Sequence, residues 1–279
     1  MTMWRLIPSI RAALRFHDYK PKPLTVLSTR RWVMQFDKGI QKHVLSLLDN
    51  VIYFSEADTK KILVEQNEAL MRRLANAGLP SKKLIYIQFH DPGSSSPVML
   101  NILRDACNLE RRGCRFMDSR TPLELNKMMN ELGEGALIYI DDFVGTGNQF
   151  CEARDFAMKN VAITTFSEFL LVPSICEEAI YQIASRGIEA FSGHVHYKAE
   201  RPLHDNSNIL QPVAKESLRQ VCKGISPRMS LGYKDLATMV VLYRNAPNSV
   251  PALLRGNLNQ TPVHGIFPRA SDLPIKKIG

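Results

Sequence analysis

The sequence predicts an α/β protein built on an open, mostly parallel, doubly wound sheet, with a helical N-terminal region and a C-terminal cap. Two observations carry that class. From Leu84 onward, short apolar runs of strand length alternate with amphipathic stretches of helix length, the texture of βαβ units. Four or five such repeats follow one another, and an open sheet with crossover helices accommodates them. Composition agrees: 45% apolar and 23% charged residues over 279 positions are ordinary globular values and argue against an extensively disordered or collagen-like chain. No repeat with a period of about 20 to 50 residues is present, which excludes solenoids.

Residues 1–80 read as mainly helical, with a Pro-interrupted connector at 20–23. Val44, Leu47, Leu48 and Val51, then Ile62, Leu63, Leu70 and Leu74, keep helical spacing, and Gly78 and Pro80 close the segment. The core, 81–200, begins with a strand over 84–89, a loop over 90–96 and a helix over 97–111 with Pro97 in its first turn. A short strand over 114–117 follows, then a helix with Thr121 as cap, Pro122 inside the first turn and Glu124 three residues after the cap. A buried strand over 136–140, a loop over 141–148 and a helix over 149–159 come next. The fourth strand, 162–172, contains Glu168 and has room to bend there. Ser174 is the expected cap of a helix reaching Arg186, and 188–197 is the fifth strand. The cap region, 201–279, offers a helix over 211–224, an apolar strand over 236–243 and a Pro- and Asn-rich stretch over 245–269.

The chain carries 36 basic and 27 acidic residues, a net +9. Seven of those bases, Arg5, Arg11, Arg15, Lys20, Lys22, Arg30 and Arg31, fall within 1–31 against the single acid Asp18. A basic arm on a nearly balanced body fits contact with a polyanion, and an accessory nucleic-acid contact through 1–31 follows from it. A solvated helix face accounts for the same pattern. The stretch 4–16 is Arg-bearing and acid-free like a mitochondrial presequence, but it is not Ser-rich and contains Pro8, so it reads as uncleaved. Apolar runs such as 169–172 fall far short of the roughly 20 residues a bilayer demands, so no membrane role is expected. The five cysteines form no C-x-x-C pair, which argues against structural zinc and a disulfide framework and makes a reducing cytoplasm the simplest setting.

Chemistry concentrates in 136–150, ALIYIDDFVGTGNQF. A buried strand delivers Asp141 and Asp142 to its C-terminal end, where open α/β sheets place their ligands. Carboxylates are acceptors only, so the pair suits the vicinal hydroxyls of a ribose, or a magnesium ion sharing them. Gly145, Thr146, Gly147, Asn148 and Gln149 then lead into a helix, where small residues let backbone N–H groups close around an anion and the helix N-terminus adds partial positive charge. The plainer account is that Asp141 and Asp142 cap the turn and the helix, although one cap needs one acid.

At these residues the sequence resembles the type I phosphoribosyltransferase family, whose diphosphate-sugar motif is an apolar strand, two acids, two apolar residues and a Thr/Gly-rich turn. Asp141 and Asp142 match the acids, Phe143 and Val144 the apolar pair, and Thr146 and Gly147 the turn. The resemblance implies that the two aspartates act on the ribose, that the 146–149 backbone holds the 5-phosphate, and that Mg2+ accompanies a diphosphate substrate. Gln149 departs from the family's Ser or Thr, which removes one phosphate-binding hydroxyl. Gly145 stands where purine-salvage members carry an acid, which disfavours that assignment.

Upstream, Gly93, Ser94, Ser95 and Ser96 offer N–H and hydroxyl donors just before a helix. The resemblance gives the loop at this position the pyrophosphate, although no Lys or Arg lies inside it. His194 and His196, two apart on a strand, share a face without a third ligand at a recognisable spacing. His90 beside Asp91 is a candidate acid/base pair with an ordinary loop histidine as the alternative. Cys151 opens the helix after the phosphate loop, and Trp4 and Trp32 read as packing residues.

The stretches 31–36, 232–254 and 266–269 are similar to the phosphoribosyltransferase-like effectors of bacterial conflict and antiviral systems, some partnered with retron reverse transcriptases. Arg255 departs from that pattern, which has an aromatic residue there. The resemblance implies an effector acting on a phosphorylated ribose or nucleotide, with a protein partner in a defence system. Two functions follow: displacement at the sugar C1, or a non-catalytic nucleotide sensor of the same fold.

Overall fold

In the computed structural model, residues 3–89, 94–159, 161, 165–256 and 263–270 are described, the side chains of 3–5 excepted. The readings on Trp4, His90, Asp91 and Gly93 lie outside what is described. In chain order the elements are α1 (Met3–Arg15), α2 (Val26–Val33), α3 (Gln41–Asp49), β1 (Ile52–Phe54), α4 (Glu56–Asn76), β2 (Leu84–Gln88), α5 (Ser95–Ala106), β3 (Arg115–Asp118) and α6 (Pro122–Leu132). They continue with β4 (Gly135–Ile140), β5 (Phe143–Val144), α7 (Asn148–Ala157), β6 (Phe166–Cys176), α8 (Glu177–Ala184), β7 (Ile188–His196), α9 (Pro212–Ile225), β8 (Val240–Leu242) and α10 (Ala252–Arg255). The chain divides into two compact units, one of Met1–Glu56 with His196–Gly279 and one of Ala57–Val195. The expected C-terminal cap and most of the expected N-terminal helical region therefore belong to one unit.

The Ala57–Val195 unit carries the predicted sheet. Its strands run in the order β3-β2-β4-β6-β5, every neighbouring pair parallel, and β7 pairs with β6. The α/β class with a mostly parallel sheet is thus what the chain adopts. β4 is buried along its whole length and β2 in all but its last residue, which is why both read as unbroken apolar runs. One face packs Ile85, Ile87, Leu137, Tyr139, Leu170 and Val172 against Leu125, Met129, Phe150, Ala179 and Ile183 of the crossover helices.

Helix ends follow local chemistry. Pro122 starts α6 as expected, but the Thr121 hydroxyl donates to the Asp118 carbonyl at 2.9 Å and makes no cap bond. α5 starts at Ser95, two residues before Pro97, and stops before Asn108, whose φ of 51° cannot continue a helix.

Three expectations are corrected. Ser174 does not cap a helix: β6 runs on through Cys176, pairing Ser174 with Phe143 of β5, and α8 begins at Glu177. The strand expected over 236–243 is only Val240–Leu242, because Lys234, Asp235 and Ala237 all adopt positive φ just before it. β1 arises inside the region read as helical, by parallel pairing of Ile52 with Val240 and Phe54 with Leu242.

In the other unit, Phe16, just past α1, meets Tyr53 and Phe267 edge-on at centroid separations of 5.2 and 5.0 Å, so residues near the two ends of the sequence share one core. Three of the seven bases in the basic arm, Arg11, Arg15 and Lys20, bond within this unit. Arg15 donates to the Leu48 carbonyl in the last turn of α3 and to that of Val51 just beyond it, where a helix end favours a cation, and Arg11 pairs with Asp49 at 3.0 Å. No described helix is long and apolar enough to cross a membrane.

Gly135, at the start of β4, has no space for a side chain. A Cβ there meets the Lys83 carbonyl oxygen at 2.4 Å and the Phe166 ring at 2.5 Å. Gly135→Ala is expected to lower stability by about 3 kcal/mol, because the backbone atom cannot yield. Urea unfolding of the purified variant checks this, and an unchanged midpoint contradicts it.

Candidate functional site

β4 ends at Ile140, and its next two residues are the paired acids. The carboxylates are not equivalent. Asp141 is only 6% exposed, whereas Asp142 is half-buried. The Asp141 Oδ1 accepts the Ser95 hydroxyl at 2.6 Å and the Asp142 backbone N–H at 2.9 Å. Burial, and then the neighbouring Asp142 charge, push the Asp141 carboxyl well above the usual carboxylate range, while the Ser95 and Asp142 donors pull the other way.

Between the acids and α7 the chain turns through Phe143 and Val144, which form β5 against β6, and then through Gly145 and Thr146. Gly147 caps α7 at φ 85°, a left-handed conformation that costs a residue with a Cβ. The N–H of Asn148 points at the Thr146 hydroxyl oxygen at 3.4 Å. Asn148 is held from α8, its Oδ1 accepting the Gln182 amide at 3.0 Å, and Gln149 is exposed. The resulting turn sets the N-terminus of a ten-residue helix close in sequence behind the half-buried acid.

The upstream loop meets the site at Ser95. Ser96 is fully buried and accepts the Phe89 N–H at 3.0 Å, and Ser94 is the N-cap residue of α5. Ser95 bonds Asp141, so two of the three described serines spend their hydroxyls inside the protein.

A model of the PRTase-CE family matches residues 29–269. The chain belongs to the PRTase-CE family. That is a phosphoribosyltransferase-like family. No curated protein matches. Among solved structures, the PRTase-CE chain is similar to orotate phosphoribosyltransferase from Aeropyrum pernix (16% identity, 50% of this chain and 69% of that one, TM-score 0.33). It is similar to TT1426 from Thermus thermophilus (14%, 52% and 85%, TM-score 0.32). It is also similar to a hypothetical protein from Neisseria gonorrhoeae with bound ppGpp (16%, 61% and 97%, TM-score 0.32).

The α7 helix of this PRTase-CE protein is tied to the sheet by a network that sequence reasoning missed. Arg154 donates through Nε to Glu168 Oε2 at 2.9 Å and through a second nitrogen to Oε1, and the Tyr139 hydroxyl donates to the same carboxylate at 2.9 Å. Glu168, the charged residue noted inside an apolar strand, thus joins α7 to β4 and β6. Glu168→Gln is expected to cost about 2 kcal/mol, because it takes the charge out of the carboxylate that receives two Arg154 donors and the Tyr139 hydroxyl, while Arg154 keeps Asp155 at 3.2 Å. Guanidinium chloride unfolding checks this, and a loss indistinguishable from zero contradicts the anchoring role.

The His196 Nε2 accepts the Met239 N–H at 3.0 Å, which puts the ring proton on Nδ1, 3.4 Å from Glu200 Oε2. A metal at Nδ1 has to displace that proton. All five cysteines are buried free thiols, and burial raises the Cys151 thiol above its ordinary pKa. Trp32 is buried and donates its indole N–H to the Leu253 carbonyl at 3.3 Å, a packing residue as expected.

Proposed function

We propose that the protein binds a ribose 5-phosphate or pyrophosphorylated ribose moiety at the turn between β4 and α7. One observation carries this reading: a half-buried carboxylate, Asp142, at the end of a parallel strand precedes a helix N-terminus opened by left-handed Gly147. A pentose needs hydroxyl acceptors and its phosphate needs N–H donors, and this turn offers both within seven residues.

The reaction in this reading is displacement at the sugar C1, by transfer from a pyrophosphorylated ribose or its reverse on a nucleotide. The 146–149 backbone holds the phosphate while the carboxylate fixes the hydroxyls as positive charge develops on the ring. Magnesium belongs to the same proposal. A carboxylate is the hard oxygen ligand it takes, and Asp142, the more exposed of the two acids, would hold it. When bound, the ion supplies neutralisation of the departing diphosphate.

The similarity at 31–36, 232–254 and 266–269 supports the further proposal that the activity serves bacterial antiviral defence in the cytoplasm, with a protein partner. A second reading, the non-catalytic nucleotide sensor, is favoured by the exposed Gln149, which offers an amide in place of a hydroxyl. Titration calorimetry with phosphoribosyl pyrophosphate and magnesium, run beside a pyrophosphate-release assay, tests both. Binding with release supports transfer, binding without release supports the sensor, and no binding removes the proposal.

A further inference from the structure

The two aspartates differ in more than exposure. Asp141 sits between two segments 46 positions apart, receiving the Ser95 hydroxyl from the first residue of α5 and the N–H of its own neighbour. Both donors converge on one oxygen, Oδ1. Removing either donor leaves a 6% exposed acceptor underbonded, and removing the acceptor leaves a hydroxyl and an amide without it.

We propose that Asp141 is a positioning residue: with Ser95 it clips the first turn of α5 to the end of β4 and fixes the Asp142 backbone, leaving Asp142 as the acid that meets the pentose. The proposal rests on the ribose-phosphate reading for what Asp142 faces, but the clip itself exists without ligand. It divides labour between two adjacent acids that look interchangeable in the sequence. It also gives the upstream serine loop a definite function, since Ser95 supports the sugar site rather than binding pyrophosphate through its side chain.

Amide hydrogen exchange at Asp142, followed by NMR in ligand-free protein, reads the clip directly. Asp141→Ala and Ser95→Ala are each expected to speed exchange of the Asp142 N–H about tenfold, the equivalent of one hydrogen bond. Asp141→Asn keeps an oxygen acceptor in place and Ser95→Thr keeps the hydroxyl, so both are expected to restore protection. A general loss of packing is not repaired by returning a single acceptor or hydroxyl. Unchanged exchange in both alanine variants, or exchange in Asp141→Asn as fast as in Asp141→Ala, overturns the clip.

A separate titration with phosphoribosyl pyrophosphate tests the ligand side. Ser95→Ala is expected to weaken it about fivefold and Ser95→Thr to restore it, an effect of about 1 kcal/mol. Equal affinity in wild type and Ser95→Ala overturns the coupling to the sugar site. If wild type does not bind the probe, the ribose-phosphate reading and that coupling fail together, and the exchange data still decide the clip.

Discussion

Asp142→Asn is expected to weaken binding of phosphoribosyl pyrophosphate by about a hundredfold, the cost of replacing charge-assisted hydrogen bonds to two hydroxyls by neutral ones of half the acceptor capacity. The fold should survive. Asp142 is half-buried and lies two residues past the end of β4, outside the apolar run of the strand. The amide also relieves the repulsion between neighbouring acids that helps raise the Asp141 carboxyl. Thermal unfolding of Asp142→Asn should therefore match wild type or exceed it while calorimetry registers the loss. Equal affinities in the two proteins contradict the assignment.

Gly147→Val should affect both fold and ligand. A β-branched residue at φ 85° is strained by about 1–2 kcal/mol before any contact is counted. Its Cβ then stands 3.2 Å from Gln182 Oε1 and 3.4 Å from Ala179 of α8. Gln182 has little freedom to withdraw, because its amide nitrogen is held by Asn148 at 3.0 Å. The turn must open, and the α7 N–H groups turn away from a bound phosphate. A stability loss of about 3 kcal/mol is expected from strain and overpacking together. Ribose 5-phosphate affinity is expected to fall about tenfold or more, as donors are lost from a helix N-terminus. Denaturant unfolding and titration with ribose 5-phosphate measure the two effects. Wild-type affinity in a folded Gly147→Val protein contradicts the phosphate role of the turn.

What the sequence reveals depends on whether a feature is local. β2 and β4 are legible because helices cover both faces of the sheet and leave uninterrupted apolar runs, and the turn at Gly147 is legible because positive φ selects for glycine. The same burial on both faces hides which of two consecutive acids points inward. With no alternation along β4 to phase, Asp141 and Asp142 read as equals, and burial and the Ser95 contact separate them. β1 and β8 are three residues each and pair across nearly 190 positions, too short and too distant for periodicity to find. Ser174 misleads for the opposite reason. It is a good helix cap by type, but the apolar run before it continues through Ile175 and Cys176, and tertiary packing extends the strand. The Arg154–Glu168 anchor has no local signal beyond a charged residue inside an apolar strand.

The most direct test of the central claim is a backbone-amide NMR titration of the wild-type protein with ribose 5-phosphate. The amides of Thr146, Gly147, Asn148 and Gln149 should shift first and furthest, with Asp142 following, because the phosphate sits on the α7 N-terminus and the hydroxyls on the acid before it. Shifts absent from these residues at saturating sugar phosphate, or confined to the unit formed by Met1–Glu56 and His196–Gly279, contradict the account.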